Sequence, residues 1–476
     1  MRTTASSDGK IVVRLLVAAT LLLSTAAIST PAVAATPGSV LWAKRYGFPS
    51  SLSDGATAVA VSPDGSTVFA TGATQQGATG NDYLTVAFDS STGVVRWARR
   101  YVGPSDTADV ALAVAVSPDG SSVYVTGSSA GANALDDIAT LAYDASTGAT
   151  LWVKRYNGPG DTGDVANAVA VSPNGARVFI SGGSTGSTGF QDFVTIAYDA
   201  STGARSWIRR YGGISEDVAT SQAVSPDGTT LFVTGYSTSS RGRGIDYATV
   251  AYGTGAGVRR WVMRYTRPFF GNDRASDVGV SLDGATVFVT GSSEATSEGY
   301  ETTDYATLAY EASTGTRLWT KRYNGPGDGA DHANALAVSS TEAAIFVTGS
   351  DTSATTGQDY ATVAYTYNGA KLWVRRHVGP DIRDEANDIG ITPDGTAVVV
   401  TGHTYGSTTG SDYATVAYAT SSGANLWSKR YNGPVDADDE AAGLAIKPDG
   451  SAVFVTGYSV GTSMTSDVAT IAYKLA

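Results

Sequence analysis

Eight tryptophans, Trp42, Trp97, Trp152, Trp207, Trp261, Trp319, Trp373 and Trp427, recur at intervals of 54 to 58 residues. A fixed period of this length constrains the fold before any local motif does, because each repeat is then one supersecondary unit that buries its apolar face against the next. Three further segments recur with the tryptophans. The first reads Ala-Asn-Ala-Val-Ala-Val-Ser-Pro at Ala166 to Pro173 and runs into a Pro-Asn-Gly turn. The second resembles Ser122 to Gly127 and the third Asp192 to Tyr198. All are four to eight residues long, rich in Val, Thr and Tyr, and bounded by Gly, Asp or Ser, which predicts strands.

With the tryptophan segment there are four strands per repeat. Repeated radially, four-stranded antiparallel sheets cover one another's faces and leave only short edges. The expectation is an all-β chain whose residues 36–476 form a single eight-bladed β-propeller. Naming strands a (inner) to d (outer), the chain starts with a d strand at Leu41 to Tyr46 and ends with a c strand at Asp467 to Tyr473. The N-terminal strand is therefore expected to complete the last blade and close the ring.

Residues 1–35 read differently. Arg2, Lys10 and Arg14 precede an apolar run from Leu15 to Ala27, followed by Ala32-Val33-Ala34, the pattern of a signal peptide and its cleavage site. No other stretch approaches the roughly 20 apolar residues of a membrane helix, so a secreted, extracellular and monomeric protein is expected. With no cysteine, stability must come from a large core rather than disulfides. A net charge of −12 argues against nucleic acid, which needs a basic footprint, and is compatible with a cationic ligand or Ca²⁺.

The c-to-d segment reads Ala-Tyr-Asp-Ala-Ser-Thr-Gly-Ala-Thr-Leu-Trp from Ala142 to Trp152, and recurs closely at Ala87 to Trp97, Ala197 to Trp207 and Ala309 to Trp319. It resembles the tryptophan-docking motif of the eight-bladed quinoproteins, in which each Trp packs between adjacent blades. The inner strands are similar to bacterial repeats of the pyrroloquinoline-quinone-like and seven-bladed-propeller-repeat type. The resemblance implies an architecture with the eight tryptophans as structural anchors. Quinoprotein dehydrogenases with this motif carry inserted segments and commonly an adjacent-cysteine disulfide near the cofactor, which are missing here. Pyrroloquinoline quinone is therefore not expected, and quinone-dependent oxidation, or hydrolysis, at the channel mouth stands as the alternative to a binding role.

Two aspartate series recur in all eight repeats, one before strand a (Asp54, Asp109, Asp164 and their counterparts) and one opening strand c (Asp82, Asp137, Asp192 and theirs). Both fall at the end of the propeller that carries the d-to-a and b-to-c loops, the loop face. A role repeated eight times favours structure: the strand c aspartates can pair with the basic pairs that end strand d, such as Lys154-Arg155, and the strand a aspartates can cap turn amides. The basic pairs are read as a solvated belt. Loops reading Gly-Pro-x-Asp-x-x-Asp place Asp161 with Asp164 and Asp328 with Asp331, and such carboxylates are the candidate Ca²⁺ ligands, although neither loop has full calcium-loop spacing. The three histidines, His332, His377 and His403, lack metal-ligand spacing, and no Gly-x-Ser-x-Gly elbow or cysteine nucleophile exists.

The repeat breaks at two neighbouring blades. From the strand b Gly to the strand c Asp six blades use ten residues, blade 4 eleven and blade 5 thirteen. These insertions bring Arg241 and Arg243 in blade 4, and Glu298, Tyr300 and Glu301 in blade 5; between them lies Arg267-Pro268-Phe269-Phe270-Gly271. Exposed aromatics beside arginines on a rigid scaffold make a recognition patch, although drift of a tolerant loop explains the same facts. The expectation is a non-enzymatic binding or scaffold protein that recognises an extracellular protein, glycan or small molecule on its loop face. Arg241, Arg243, Arg267, Phe269, Phe270 and Tyr300 are its candidate ligand contacts.

Overall fold

The computed structural model describes residues 35–475 except 78–79, 106, 134, 214, 239–243, 267–270, 298–299 and 381–382. Thr36–Ala476 is one compact unit. It is built from eight four-stranded antiparallel sheets, 32 strands among the described residues. Blade 1 runs Ser51–Val61, Thr67–Gln76, Asn81–Asp89 and Val95–Tyr101 as strands a to d. In blade 8 the sheet order is Val40–Tyr46, Ser466–Lys474, Ala452–Val460, Asp439–Ile446, so the N-terminal strand is the d strand of the last blade, as expected.

Each tryptophan reaches into the next blade. The Trp97 indole N–H donates to Ala145 O at 2.9 Å, Trp152 to Ala200 O at 3.0 Å, and Trp42 across the closing seam to Ser90 O at 2.8 Å. From Trp42 to Trp373 the partner is the c-to-d turn, whose glycine lies flat on the ring. Gly93, Gly148, Gly203, Gly257, Gly315, Gly369 and Gly423 have φ between +65° and +79°, a conformation that disfavours any other residue. A methyl on Gly148 would stand 2.6 Å from the Trp97 ring. At Trp427 the same place is taken by Gly38 (φ +77°), held by its N–H to Lys474 O at 2.8 Å. The two chain ends thus reconstitute a turn that is continuous in the other seven blades.

The apolar core lies between blades. Tyr124, Ile138 and Trp152 of blade 2 pack with Val178, Ile180, Val194, Ile196 and Tyr198 of blade 3, and equivalent clusters occupy the other junctions. Strand a carries a bulge in every blade, for example between Ala166 and Ala168. The extra residue points to the next inner strand: Asn167 Nδ2 donates to Ala219 O at 2.8 Å and Thr57 Oγ1 to Ala111 O at 2.7 Å. A repeated bulge re-aims one side chain per blade, and in blades 1, 3, 4, 6 and 7 that side chain ties neighbouring inner strands around the channel.

One sequence expectation needs correction. The blade 5 insertion is not a loop but an extension of the hairpin: strands b and c run Thr286–Ser297 and Tyr300–Glu311, paired without a break from Thr286↔Glu311 to Ser297↔Tyr300. Thr296, Thr302 and Thr303 suit strand continuation, so the added residues lengthen the ladder and place Tyr300 and Glu301 in a strand.

Candidate functional site

The repeated aspartates are part of the fold. Those opening strand a are buried and accept from backbone amides: Asp109 from Gly103 N (2.6 Å) and Ala130 N (3.0 Å), Asp164 from Gly158 N (2.5 Å) and Thr185 N (2.9 Å), Asp439 from Gly433 N (2.5 Å) and Val460 N (3.0 Å). Those opening strand c each pair with the second basic residue of strand d, in all eight blades. The pair is Arg155–Asp137 at 2.8 Å in blade 2 and Arg210–Asp192 at 2.9 Å in blade 3. Arg155 also donates to Ser129 Oγ, Ser129 O and the Tyr101 hydroxyl of the preceding blade.

The first basic residue of the pair is not simply solvated. Arg99, Arg209 and Arg375 donate to carbonyls of the next blade's docking turn, Gly148 O, Gly257 O and Gly423 O, at 2.7 to 2.8 Å. In these three blades the belt joins neighbours, because a guanidinium fork reaches two carbonyls at once.

The candidate calcium residues are already engaged. Asp161 accepts from Asn157 and Asn133 amides and Asp328 from the Asn324 amide, both in left-handed backbone (φ +50° and +53°). Asp331 accepts from Gly325 N and Thr352 N. Among the described residues no three His, Asp or Glu converge in a metal-binding arrangement.

What varies is the channel mouth on the loop face. The residue after each strand a aspartate stands at the start of an innermost strand. Through blades 1 to 4 it is Gly55, Val110, Val165 and Val218; through blades 5 to 8 it is Arg274, His332, Glu385 and Glu440. One arc of the rim is small and apolar, the other charged. Arg274 is exposed and lies 4.4 Å over the Tyr236 ring of blade 4, a cation–π contact. His332 Nδ1 is 3.0 Å from Ser292 Oγ, Asn334 Nδ2 donates to Glu385 Oε1 at 3.0 Å, and Glu440 is the cross-strand partner of Tyr458. His403 is the register partner of Glu385. Blade 6 also varies the anchor: Asp351 replaces the strand b serine of blades 2 to 5 and accepts from the Tyr323 hydroxyl (2.5 Å) and Arg376 Nε (2.7 Å).

Burial pushes the carboxyls of Asp54, Asp164, Asp217, Asp331, Asp384 and Asp439 upward. Asp331 and Asp384 rise to about 6 despite the backbone amides that oppose the shift. Asp388, on an inner strand facing the channel, rises to about 7 for the same reason.

At the junction of blades 8 and 1 the rim opens into a cavity of about 370 Å³ lined by Ser53, Gly55, Ala73, Asn81, Tyr458 and Ser466. On the opposite, turn face, shallow polar recesses recur between blades 1 and 2 (Asp64, Ser66, Arg96, Asp119) and blades 4 and 5 (Asp227, Thr229, Arg260, Asp283). They use the same repeat positions and follow from the repeat.

Of the expected ligand contacts, Arg241, Arg243, Arg267, Phe269 and Phe270 lie outside the described residues, as does Glu298. Tyr300 opens strand c of blade 5. Their segments adjoin Thr230–Thr238, which carries Tyr236, and Asp273–Val280, which carries Arg274. Sequence reasoning places His332 on the loop face, directly after Asp331, but missed Arg274, Glu385 and Glu440, although the change from Val to Arg, His and Glu after a constant Asp was a visible signal.

The fold and rim define an eight-bladed propeller whose variable end is its channel mouth. A family model described as outer membrane protein assembly factor BamB matches residues 17–243, a little under half of the chain, and over that span the chain is similar to it. Among solved structures it is similar to Chaetomium thermophilum Sqt1 bound to the N-terminus of the ribosomal protein L10, with TM-score 0.59, 14% identity, and 90% of this chain and 98% of that one covered. It is also similar to the quinohemoprotein alcohol dehydrogenase of Comamonas testosteroni, with TM-score 0.53, 13% identity, and 92% and 76% coverage. The quinohemoprotein alcohol dehydrogenase ADHIIG of Pseudomonas putida HK5 follows with TM-score 0.51, 14% identity, and 92% and 76% coverage. At such identities the likeness is one of fold alone. No curated protein matches the chain. Among the described residues no helix is long and apolar enough to cross a membrane.

Proposed function

We propose that this chain is a secreted binding or scaffold propeller, without a reaction of its own, that takes its ligand or partner at the loop-face mouth along the charged arc of blades 5 to 8. The observation that carries this is the replacement of valine by Arg274, His332, Glu385 and Glu440 at a position where Val110, Val165 and Val218 serve the fold equally well. Charged groups that a repeat does not need, gathered on one arc of an open rim, are retained for recognition. The segments holding Arg243, Phe269 and Phe270 adjoin in sequence the strands Thr230–Thr238 and Asp273–Val280, where that arc begins. The fold likeness to Sqt1, which holds a protein terminus, is compatible with such a role and does not specify the partner.

Pyrroloquinoline quinone does not fit these residues. It is a tricarboxylate, and Glu385 and Glu440 on the rim would repel it; a quinone absorbance band in the purified protein would overturn this. Export is tested by N-terminal sequencing of protein recovered from the medium, with a start beside Thr36 expected.

The function is tested by probing a glycan and small-metabolite array with the mature protein and with the triple variant Arg274→Ala, His332→Ala, Glu385→Gln. Ligands should be lost from the triple variant and kept by Ser121→Lys on the turn face. Retention by the triple variant overturns the charged-arc reading. A second variant, Arg243→Ala with Phe269→Ala and Phe270→Ala, measures how far the patch extends into blades 4 and 5.

A further inference from the structure

We propose that the cavity at the ring-closing seam, between blades 8 and 1, binds a hydroxylated primary amine of about hexosamine size. The proposal rests on the loop-face reading and goes on to name a ligand class. Its first basis is the way the cavity arises. The strand a rim position is Gly55 only in blade 1, and its register partner on strand b is Ala73, so the two side chains that would fill the corner are the smallest available. Strand a of this blade also starts early, at Ser51, which brings Ser53 Oγ to 2.5 Å from Ser466 Oγ of blade 8. The result is a recess of about 370 Å³, within the size range of small-ligand pockets.

The second basis is the chemistry of the walls. Tyr458, half-buried, presents its ring along one side, and Gly55 and Ala73 add apolar surface suited to the C–H face of a sugar ring. Ser53, Ser466 and the Asn81 amide offer hydroxyl and amide partners. Negative charge adjoins this wall: Glu440 is the register partner of Tyr458 on the neighbouring strand, and Glu440, Asp438 and Asp439 act electrostatically on the Tyr458 hydroxyl. The nearby cation, Arg45, is taken by Asp467 at 2.8 Å and by Ser459 O at 2.7 Å. An ammonium beside Glu440 and the tyrosine ring satisfies both a charge-assisted hydrogen bond and a cation–π contact, whereas a phosphate or carboxylate would meet like charge.

The geometry supplies its own control. A Cβ on Gly55 would meet only Tyr458 Cβ, at 3.4 Å, and valine is the residue of three sister repeats, so Gly55→Val fills the cavity while keeping the fold. In calorimetric titration of the mature protein, glucosamine should bind with Kd of about 0.1–1 mM and glucose, its uncharged match, at least about tenfold more weakly. Gly55→Val should weaken glucosamine at least tenfold with an unchanged melting temperature, and Glu440→Gln should bring glucosamine down to the level of glucose. Equal affinity for the two sugars, no binding of glucosamine, or undiminished binding by Gly55→Val overturns the proposal. If glucosamine fails while the array still yields ligands lost from the triple rim variant, only the seam proposal falls. If the array ligands survive in that variant while glucosamine binding obeys Gly55, only the charged-arc reading falls.

Discussion

The aspartates at the two ends of the propeller behave in opposite ways. On the turn face they sit in exposed turns and are held charged: the Ser117 hydroxyl and Ser121 amide draw Asp119 down to about 2, and Ser451 does the same for Asp449. At the loop face and in the channel the same side chain is buried and pushed up, to about 6 at Asp331 and Asp384 and about 7 at Asp388. Carboxylates at both ends accept from N–H or O–H donors, so desolvation decides the sign. One end is thus built to be the same in nearly every blade, and the other holds groups whose state responds to what surrounds them.

The largest effect should come from breaking the uniform end. Gly148→Ala combines a left-handed backbone with a contact at 2.6 Å to the Trp97 ring, and we expect a loss of about 3 kcal/mol in denaturant unfolding. Gly55→Val at the variable end should cost less than about 0.5 kcal/mol by the same measurement. A small effect at Gly148 would mean that docking tolerates movement and that the two ends do not differ in rigidity.

The next effect is pH-dependent. A carboxyl whose pKa is raised on folding holds its proton more tightly than the unfolded chain does. It therefore destabilises the fold above about 7 in the case of Asp388, and this cost fades as pH falls towards the unfolded value. The turn-face aspartates act with the reverse sign, stabilising above the unfolded value and losing that contribution as pH falls to about 2. Stability should therefore peak near pH 5 on a series from pH 2 to 8. Asp388→Asn should raise stability at pH 8 by about 2 kcal/mol, reduced from the full linkage value because the residue is only partly buried, and should change nothing near pH 4. A stability curve rising steadily to pH 8 would contradict the burial of these groups.

Breaking one anchor is a smaller perturbation. Arg155→Gln removes the Asp137 pair and three other hydrogen bonds and should cost about 1–2 kcal/mol, measured by denaturant midpoint. The smallest expected effect is that of calcium. With Asp161, Asp164, Asp328 and Asp331 each held by N–H donors, millimolar Ca²⁺ should leave the melting temperature unchanged. A rise abolished by Asp161→Asn would instead establish a site there.

Blade count, strand order, the closing N-terminal strand and the inter-blade tryptophans were all legible, because a period of four strands with one Trp admits few ways of burying its faces. So were the aspartate–arginine pairs, since both residues recur at fixed offsets. The rim was not read, although it was visible as Val110 against Arg274, because nothing in a linear period says which residue stands at the innermost radius. The seam was missed for a related reason: Gly55 and Tyr458 are some four hundred residues apart in the chain and become neighbours only on ring closure. The blade 5 insertion was misread as a loop because length alone does not distinguish a longer loop from a longer hairpin.

The sequence by itself determined the repeat, and with it the fold, because periodic burial of Val, Tyr and Trp leaves a closed ring as the way to cover every blade. Only the tertiary structure decided where the ring is irregular in a useful way. Closure brings the first and last blades together and turns one position per repeat towards the mouth, so side chains scattered along the chain become a single rim with an apolar arc, a charged arc and a cavity at the seam.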